Sequence, residues 1–265
     1  MISRKGGKAL SPNQTRPLPR VLVNSLPKSG THLLLQMILG IPGMIITPEW
    51  IIEDKDLDLI NSGSVGPGHL VHSAERAQLL KQKDIKVIFI SRDLRDVAVS
   101  LVHFVMLNKW GNHPWTPYLK NLKTHDERLL AMINGVHLTK EEQAEFQITH
   151  IPNIRQISKD KLEWQHQPGI CTVTFEELVY DEDSQNQSIM RILDYLWEDL
   201  KDLHLTKFEL LQKIKQNIVP ENSGTFRKGR IGDWKHEFTE THKEAFKKVA
   251  GELLIQLGYE KDNNW

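Results

Sequence analysis

Three short apolar runs punctuate the chain: Val21-Leu22-Val23, Val87-Ile88-Phe89-Ile90, and Ile170 to Phe175. Each is continuous, rich in β-branched residues and bounded by polar residues, as expected of a strand buried on both faces. Between them lie segments of helical composition. Thr31 to Leu39 is stopped by Gly40, Pro42 and Gly43, residues 75 to 83 precede the second run, Val97 to about Leu107 follow it, and a helix is expected near 185 to 200. Strands alternating with helices predict an α/β fold with a central, mostly parallel sheet flanked by helices. In such sheets ligands bind at the carboxyl ends of the strands. The first two runs both end in unusual charged loops, where a ligand site is therefore expected.

Residues 1–19 are polar and carry Pro12, Pro17 and Pro19, so they are expected to be a flexible arm, with a single domain over 20–265. The stretch from 108 to 168 lacks clear periodicity. Its Trp110, Trp115, Tyr118 and Trp164 suit either a core or an acceptor pocket, the core being the more ordinary place. Lys plus Arg and Asp plus Glu are equal at 34 each. This balance gives no reason to expect nucleic acid or a membrane surface as partner, and any anion site must be built locally. Cys171 is the only cysteine, which excludes an intrachain disulfide, fits a reducing compartment and predicts a small core residue on a strand. There is no apolar run of about 18 residues and no apolar segment behind the basic N-terminus, so neither a membrane helix nor a signal peptide is expected, and the expected location is cytoplasmic. The sequons at Asn13 and Asn186 are then chance matches.

The first run leads into Pro27-Lys28-Ser29-Gly30-Thr31-His32 as a helix begins. Unpaired N–H groups and a positive partial charge at a helix N-terminus favour phosphate-like anions. Gly30 allows close backbone approach, Lys28 adds a charge, and Ser29 and Thr31 add hydroxyls able to cap the helix. This is not a Walker A loop, because the lysine precedes the glycine and no glycine stands five residues before Gly30. A plain strand-to-helix turn is the simpler alternative.

The second run ends in Ser91-Arg92-Asp93-Leu94-Arg95-Asp96, with Ser100 one turn into the expected helix. Arg92 and Ser100 are placed to share one phosphate, although the same four charges also suit a surface ion-pair cluster worth little. Near the C-terminus, Phe226-Arg227-Lys228-Gly229-Arg230-Ile231-Gly232-Asp233-Trp234-Lys235 joins four basic residues to two glycines, a composition that wraps anions.

Taken in order, these three segments resemble the cytosolic sulfotransferase family. The resemblance implies a P-loop-like sulfotransferase fold and 3′-phosphoadenosine 5′-phosphosulfate (PAPS) as sulfuryl donor, released as PAP. Lys28, Ser29, Gly30, Thr31 and His32 would hold the 5′-phosphosulfate. Arg92 and Ser100, joined by Arg227, Lys228 and Gly229, would hold the 3′-phosphate. Phe175, before Glu176 and Glu177, matches the family's adenine contact. The family's catalytic base is a histidine upstream of the second strand. Within Gly66-Pro67-Gly68-His69-Leu70-Val71-His72, His69 matches best and His72 is the alternative.

The sequence also departs from the family. Leu33 stands where many members carry a tryptophan that stacks on adenine, and Pro67 where a lysine often precedes the base. Glu240 occupies the apolar position of the family's dimer motif, which leaves a monomer or weak homodimer as the expectation.

The implied reaction is in-line transfer to a hydroxyl or amine of a small-molecule acceptor. His69 would take the proton and Lys28 would stabilise the leaving oxygen. It calls for no metal, and His236-Glu237 lacks the second histidine of an H-E-x-x-H site. Three rival readings remain at this level: a non-catalytic nucleotide binder of the same fold, an ATP-dependent kinase, and a membrane-anchored carbohydrate sulfotransferase. The stretches 44–70, 102–118 and 145–165 are expected to line the acceptor pocket.

Overall fold

The structure is a computed structural model that describes residues 17–265 apart from Trp110, Asn112, Thr225 and Phe226. The expectations for residues 1–16, the Asn13 sequon, Trp110 and Phe226 therefore lie outside the described residues. In chain order the elements are β1 (Arg20–Ser25), α1 (Thr31–Leu39), β2 (Ile45–Ile46), β3 (Ser64–Gly68), α2 (Ala74–Gln82), β4 (Ile85–Ser91) and α3 (Leu94–Leu107). Then come α4 (Thr116–Asn121), α5 (His125–Asn134), β5 (Val136–His137), α6 (Lys140–Phe146), β6 (His150–Ile151), α7 (Ile154–Leu162) and β7 (Cys171–Thr174). The C-terminal part holds α8 (Phe175–Val179), α9 (Glu182–Leu200), α10 (Lys207–Gln216), α11 (Trp234–Glu237) and α12 (Glu240–Gln256).

One sheet runs in the order β2-β3-β1-β4-β7 with every neighbouring pair parallel, and β5 and β6 form a separate antiparallel pair. Side chains alternate across the main sheet. Leu22, Val87 and Phe89 pack with α3, α5, α7 and α12 on one face, while Val21, Val23, Ile88 and Ile90 pack with α1, α9 and α10 on the other. Both faces are apolar, which is why the strands read as unbroken runs. The adjacent strands β1 and β4 send their following helices to opposite faces, and a crevice opens at their carboxyl ends.

Several local expectations are corrected. The strand β3, Ser64-Val65-Gly66-Pro67-Gly68, has no apolar run to announce it. A Cβ at Gly66 would lie 2.8 Å from Ile51 Cγ1, so glycine lets Ile51 cover the strand, and Pro67 lies beyond the two residues paired with β2. The stretch from 108 to 168 is largely helical. Thr124, Thr139 and Asn153 cap α5, α6 and α7 in reciprocal capping boxes with Glu127, Glu142 and Gln156. The third run yields a strand of four residues, and Phe175 opens α8 instead of ending the strand.

The aromatic residues of this middle stretch divide between core and crevice. Trp164 is fully buried and donates its indole N–H to the Leu70 carbonyl at 2.9 Å, whereas Trp115 lines the crevice. Cys171 is a buried strand residue, and burial pushes its thiol up to about 11.

Candidate active site

The crevice is a cavity of about 860 Å³, and every predicted site residue except Ser29 lines it. Its floor is the loop between β1 and α1. Lys28 and Gly30 have φ of 66° and 98°, the left-handed region that favours glycine. Gly30 itself is the helix N-cap, without a side-chain cap bond, so neither Ser29 nor Thr31 caps α1. The Thr31 hydroxyl instead lies 2.7 Å from the Ser25 hydroxyl. The Ser29 hydroxyl is buried with no hydrogen-bond partner. A Cβ at Gly30 would lie 2.8 Å from Phe175 Cδ2, so the loop and the Phe175 ring fit together only with glycine there.

Lys28 Nζ sits 4.0 Å from the Phe104 ring centroid. Burial, then the charges of Arg92 and Arg227, lower its pKa to about 8. The His32 imidazole is also pushed down, first by burial and then by Lys28. Gathering cations in a partly desolvated cavity is unfavourable by itself, and an anion between them reverses the sign of the interaction.

His69 directly follows β3. Its Nδ1 lies 3.0 Å from both the Ser25 carbonyl and the Ser25 hydroxyl. Donation from Nδ1–H to the carbonyl leaves Nε2 as the proton acceptor. Burial, partly opposed by the Ser25 carbonyl and reinforced by Lys161, Lys28 and His32, pushes the pKa to about 4. The Trp50 ring lies 5.1 Å from the His69 ring and 5.8 Å from the His32 ring. His72 does not line the cavity. Its ring packs edge-on against Trp164 at 4.8 Å, and its Nε2 is buried without a partner.

The opposite end centres on Arg92, which follows β4. Arg92, Asp93, Arg95 and Asp96 are all buried, which replaces the surface-cluster alternative with an internal network. The Arg92 guanidinium donates to the Lys28 carbonyl at 3.3 Å, to Asp96 at 3.3 Å and to the Arg230 carbonyl at 2.8 Å. It also lies 4.2 Å from the Phe175 ring centroid, and its Nε is buried without a partner. Ser100 lies in the second turn of α3, which begins at Leu94 and not at Val97 as expected.

The C-terminal loop closes over this end. Arg227 pairs with Asp233 and, at 3.2 Å, with Glu237, while Lys228 donates to Asp233 at 3.0 Å. Against burial, which raises it, Lys228 and Arg227 hold the Asp233 carboxyl below its usual range. Gly229 has φ of 62°. Trp234 anchors the loop, and the Arg95 guanidinium lies 4.0 and 4.5 Å from the rings of Trp234 and Trp265.

Sequence reasoning missed Trp50, His113 and Phe104 as individual residues, although all three fall within the stretches assigned to the acceptor pocket. It also missed the anchoring role of Asp96, which only the folded chain brings to the loop.

Comparison with known proteins follows the same lines. The family described as "Sulfotransferase domain" matches residues 67–258. Mouse sulfotransferase 2A6 is 25% identical over 260 residues, covering 89% of this chain and 84% of that protein. Mouse sulfotransferase 2A1 is 28% identical, covering 88% and 84%. Among solved structures, mouse sulfotransferase SULT7A1 complexed with PAP superposes with a TM-score of 0.61 at 21% identity, over 89% of this chain and 84% of that one. A retinol dehydratase in complex with retinol and PAP gives 0.54 at 18% identity, over 90% and 82%.

Proposed function

We propose, for a chain that belongs to the sulfotransferase family, a division of labour within the cavity of this PAPS-dependent enzyme. The observation that carries it is the gathering of Lys28, Arg92 and Arg227 around one cavity next to a histidine whose Nδ1 is already committed. Lys28, Ser29, Gly30, Thr31 and His32 hold the 5′-phosphosulfate. The unpartnered, buried Ser29 hydroxyl fits this assignment. Arg92, with an unpartnered buried Nε, binds the 3′-phosphate with Ser100, Arg227, Lys228 and Gly229, and Phe175 contacts the adenine. A 3′-phosphate subsite selects against ATP.

The acceptor oxygen or nitrogen attacks sulfur in line with the bond to the bridging oxygen. As that bond breaks, the acceptor proton passes to His69 Nε2 and PAP leaves with the electron pair on the bridging oxygen. Lys28 stabilises that charge, and a donor of this kind is worth about 10²–10³ in rate. At neutral pH the His69 imidazole is uncharged and able to accept a proton.

The acceptor end is lined by Trp50, Leu101, Phe104, His113, Trp115 and Ile157. This supports a small apolar alcohol or amine as acceptor. Glu240 pairs with Lys243 at 2.7 Å on the exposed face of α12, which favours a monomer or weak homodimer over the family's apolar dimer contact. The lone buried thiol and the balanced charge favour a cytoplasmic enzyme acting on small molecules, without nucleic acid or membrane as partner.

The test is incubation with PAPS and a panel of apolar alcohols and amines, following PAP release and sulfated product by mass. Product that forms only with PAPS supports the reading. Consumption of ATP with no sulfated product from any acceptor overturns it.

A further inference from the structure

His236-Glu237 lacks a second histidine along the chain, yet the fold supplies two histidines to Glu237 from elsewhere. His103 comes from the last turns of α3, His125 opens α5, and Glu237 ends α11. Their ligand atoms all lie within 4.8 Å of one another, the one such cluster among the described residues. His103 Nε2 is 2.9 Å and His125 Nε2 is 2.8 Å from the same oxygen, Glu237 Oε2. The other carboxylate oxygen, Oε1, faces Arg227 at 3.2 Å and Lys228 at 4.0 Å.

We propose that His103, His125 and Glu237 form a Zn²⁺ site with an open fourth position. Two imidazole nitrogens and one carboxylate oxygen are a ligand set typical of zinc with an exchangeable water. Tetrahedral zinc with bonds of about 2.0–2.1 Å sets its ligand atoms about 3.3 Å apart, so the two histidine-to-carboxylate contacts need to spread by about half an ångström. The histidine rings are just over a third exposed, which leaves a path for the ion. Arg227 is the outer partner that holds the ligating carboxylate through its second oxygen, an arrangement common around zinc. The ion would tie α3, α5 and α11 together directly behind the loop that carries Arg227 and Lys228.

The test is competition for Zn²⁺ against a chelating dye, with wild type, His103→Ala and His125→Gln, and no nucleotide present. The expected result is one Zn²⁺ per chain for wild type and binding weakened at least about tenfold in each variant. Thermal melting of wild type alone, with Zn²⁺ and with Mg²⁺, guards against variants that fail to fold. A rise in Tm with Zn²⁺ only is expected. Equal zinc binding by wild type and both variants, or no zinc-specific rise in Tm, overturns the site. Because no PAPS or PAP is used, failure here leaves the proposed function standing.

Discussion

Asp96 accepts the backbone N–H of Trp234 at 3.0 Å, joining residues separated by 138 positions. The same carboxylate accepts the Gly232 N–H at 2.8 Å and an Arg92 Nη at 3.3 Å. One buried carboxylate thus fixes the strand-end arginine and the C-terminal basic loop relative to each other. The proposed 3′-phosphate subsite draws on both, so this tie sets its geometry.

Asp96→Ala removes the charge partner of a buried arginine and two backbone acceptor contacts. The expected loss is about 3–5 kcal/mol of stability, the range for breaking a buried pair. Urea denaturation measures it, and a loss below about 1 kcal/mol contradicts the tie.

His69→Gln is expected to lower kcat by about 10²–10⁴ while PAP affinity changes little, as for removal of a general base. His72→Ala is expected to keep turnover, since His72 packs on Trp164 outside the cavity. Steady-state kinetics of both variants decide between them, and an active His69→Gln beside an inactive His72→Ala reverses the assignment.

The pH dependence has two limbs. His69 must be neutral, so kcat/KM falls as pH drops through about 4. Lys28 must be charged, so kcat/KM for PAPS falls as pH rises through about 8. Stability follows proton binding. Below 6.5 the unfolded chain protonates His69 before the native protein does, so this group's contribution declines from 6.5 down to about 4. His69→Gln should flatten that part of an acid titration followed by circular dichroism, and an unchanged curve contradicts the low pKa.

Gly30→Ala meets two obstacles, a φ of 98° and a Cβ 2.8 Å from the Phe175 ring. The expected cost is about 1–3 kcal/mol of stability, as for overpacking elsewhere, with a parallel loss of PAP affinity. Thermal melting and a PAP titration read both. A variant with wild-type values would show that the loop tolerates a side chain.

Much of this fold is written plainly in the sequence because β1 and β4 are apolar on both faces and helices follow them at once. The charged loops that meet at the cavity were legible for a related reason: Lys28, Arg92 and Arg227 each stand in a short segment whose composition is distinctive locally. What escaped was long-range or masked. The strand β3 hides behind Gly66, which exists to admit Ile51. The helices of the middle stretch were signalled only by capping boxes such as Thr124 with Glu127, which an apolar scan passes over. Trp50 reaches His69 only through the path between β2 and β3, and no spacing rule in the chain places it there.

The most direct test of the central claim is calorimetric titration of PAP into the protein, with ATP and 5′-AMP as parallel titrants. The account predicts tight one-to-one binding of PAP and weak or undetectable binding of the other two, because Arg92, Ser100 and the Arg227 loop read the 3′-phosphate. Equal binding of ATP, or no binding of PAP, would contradict it.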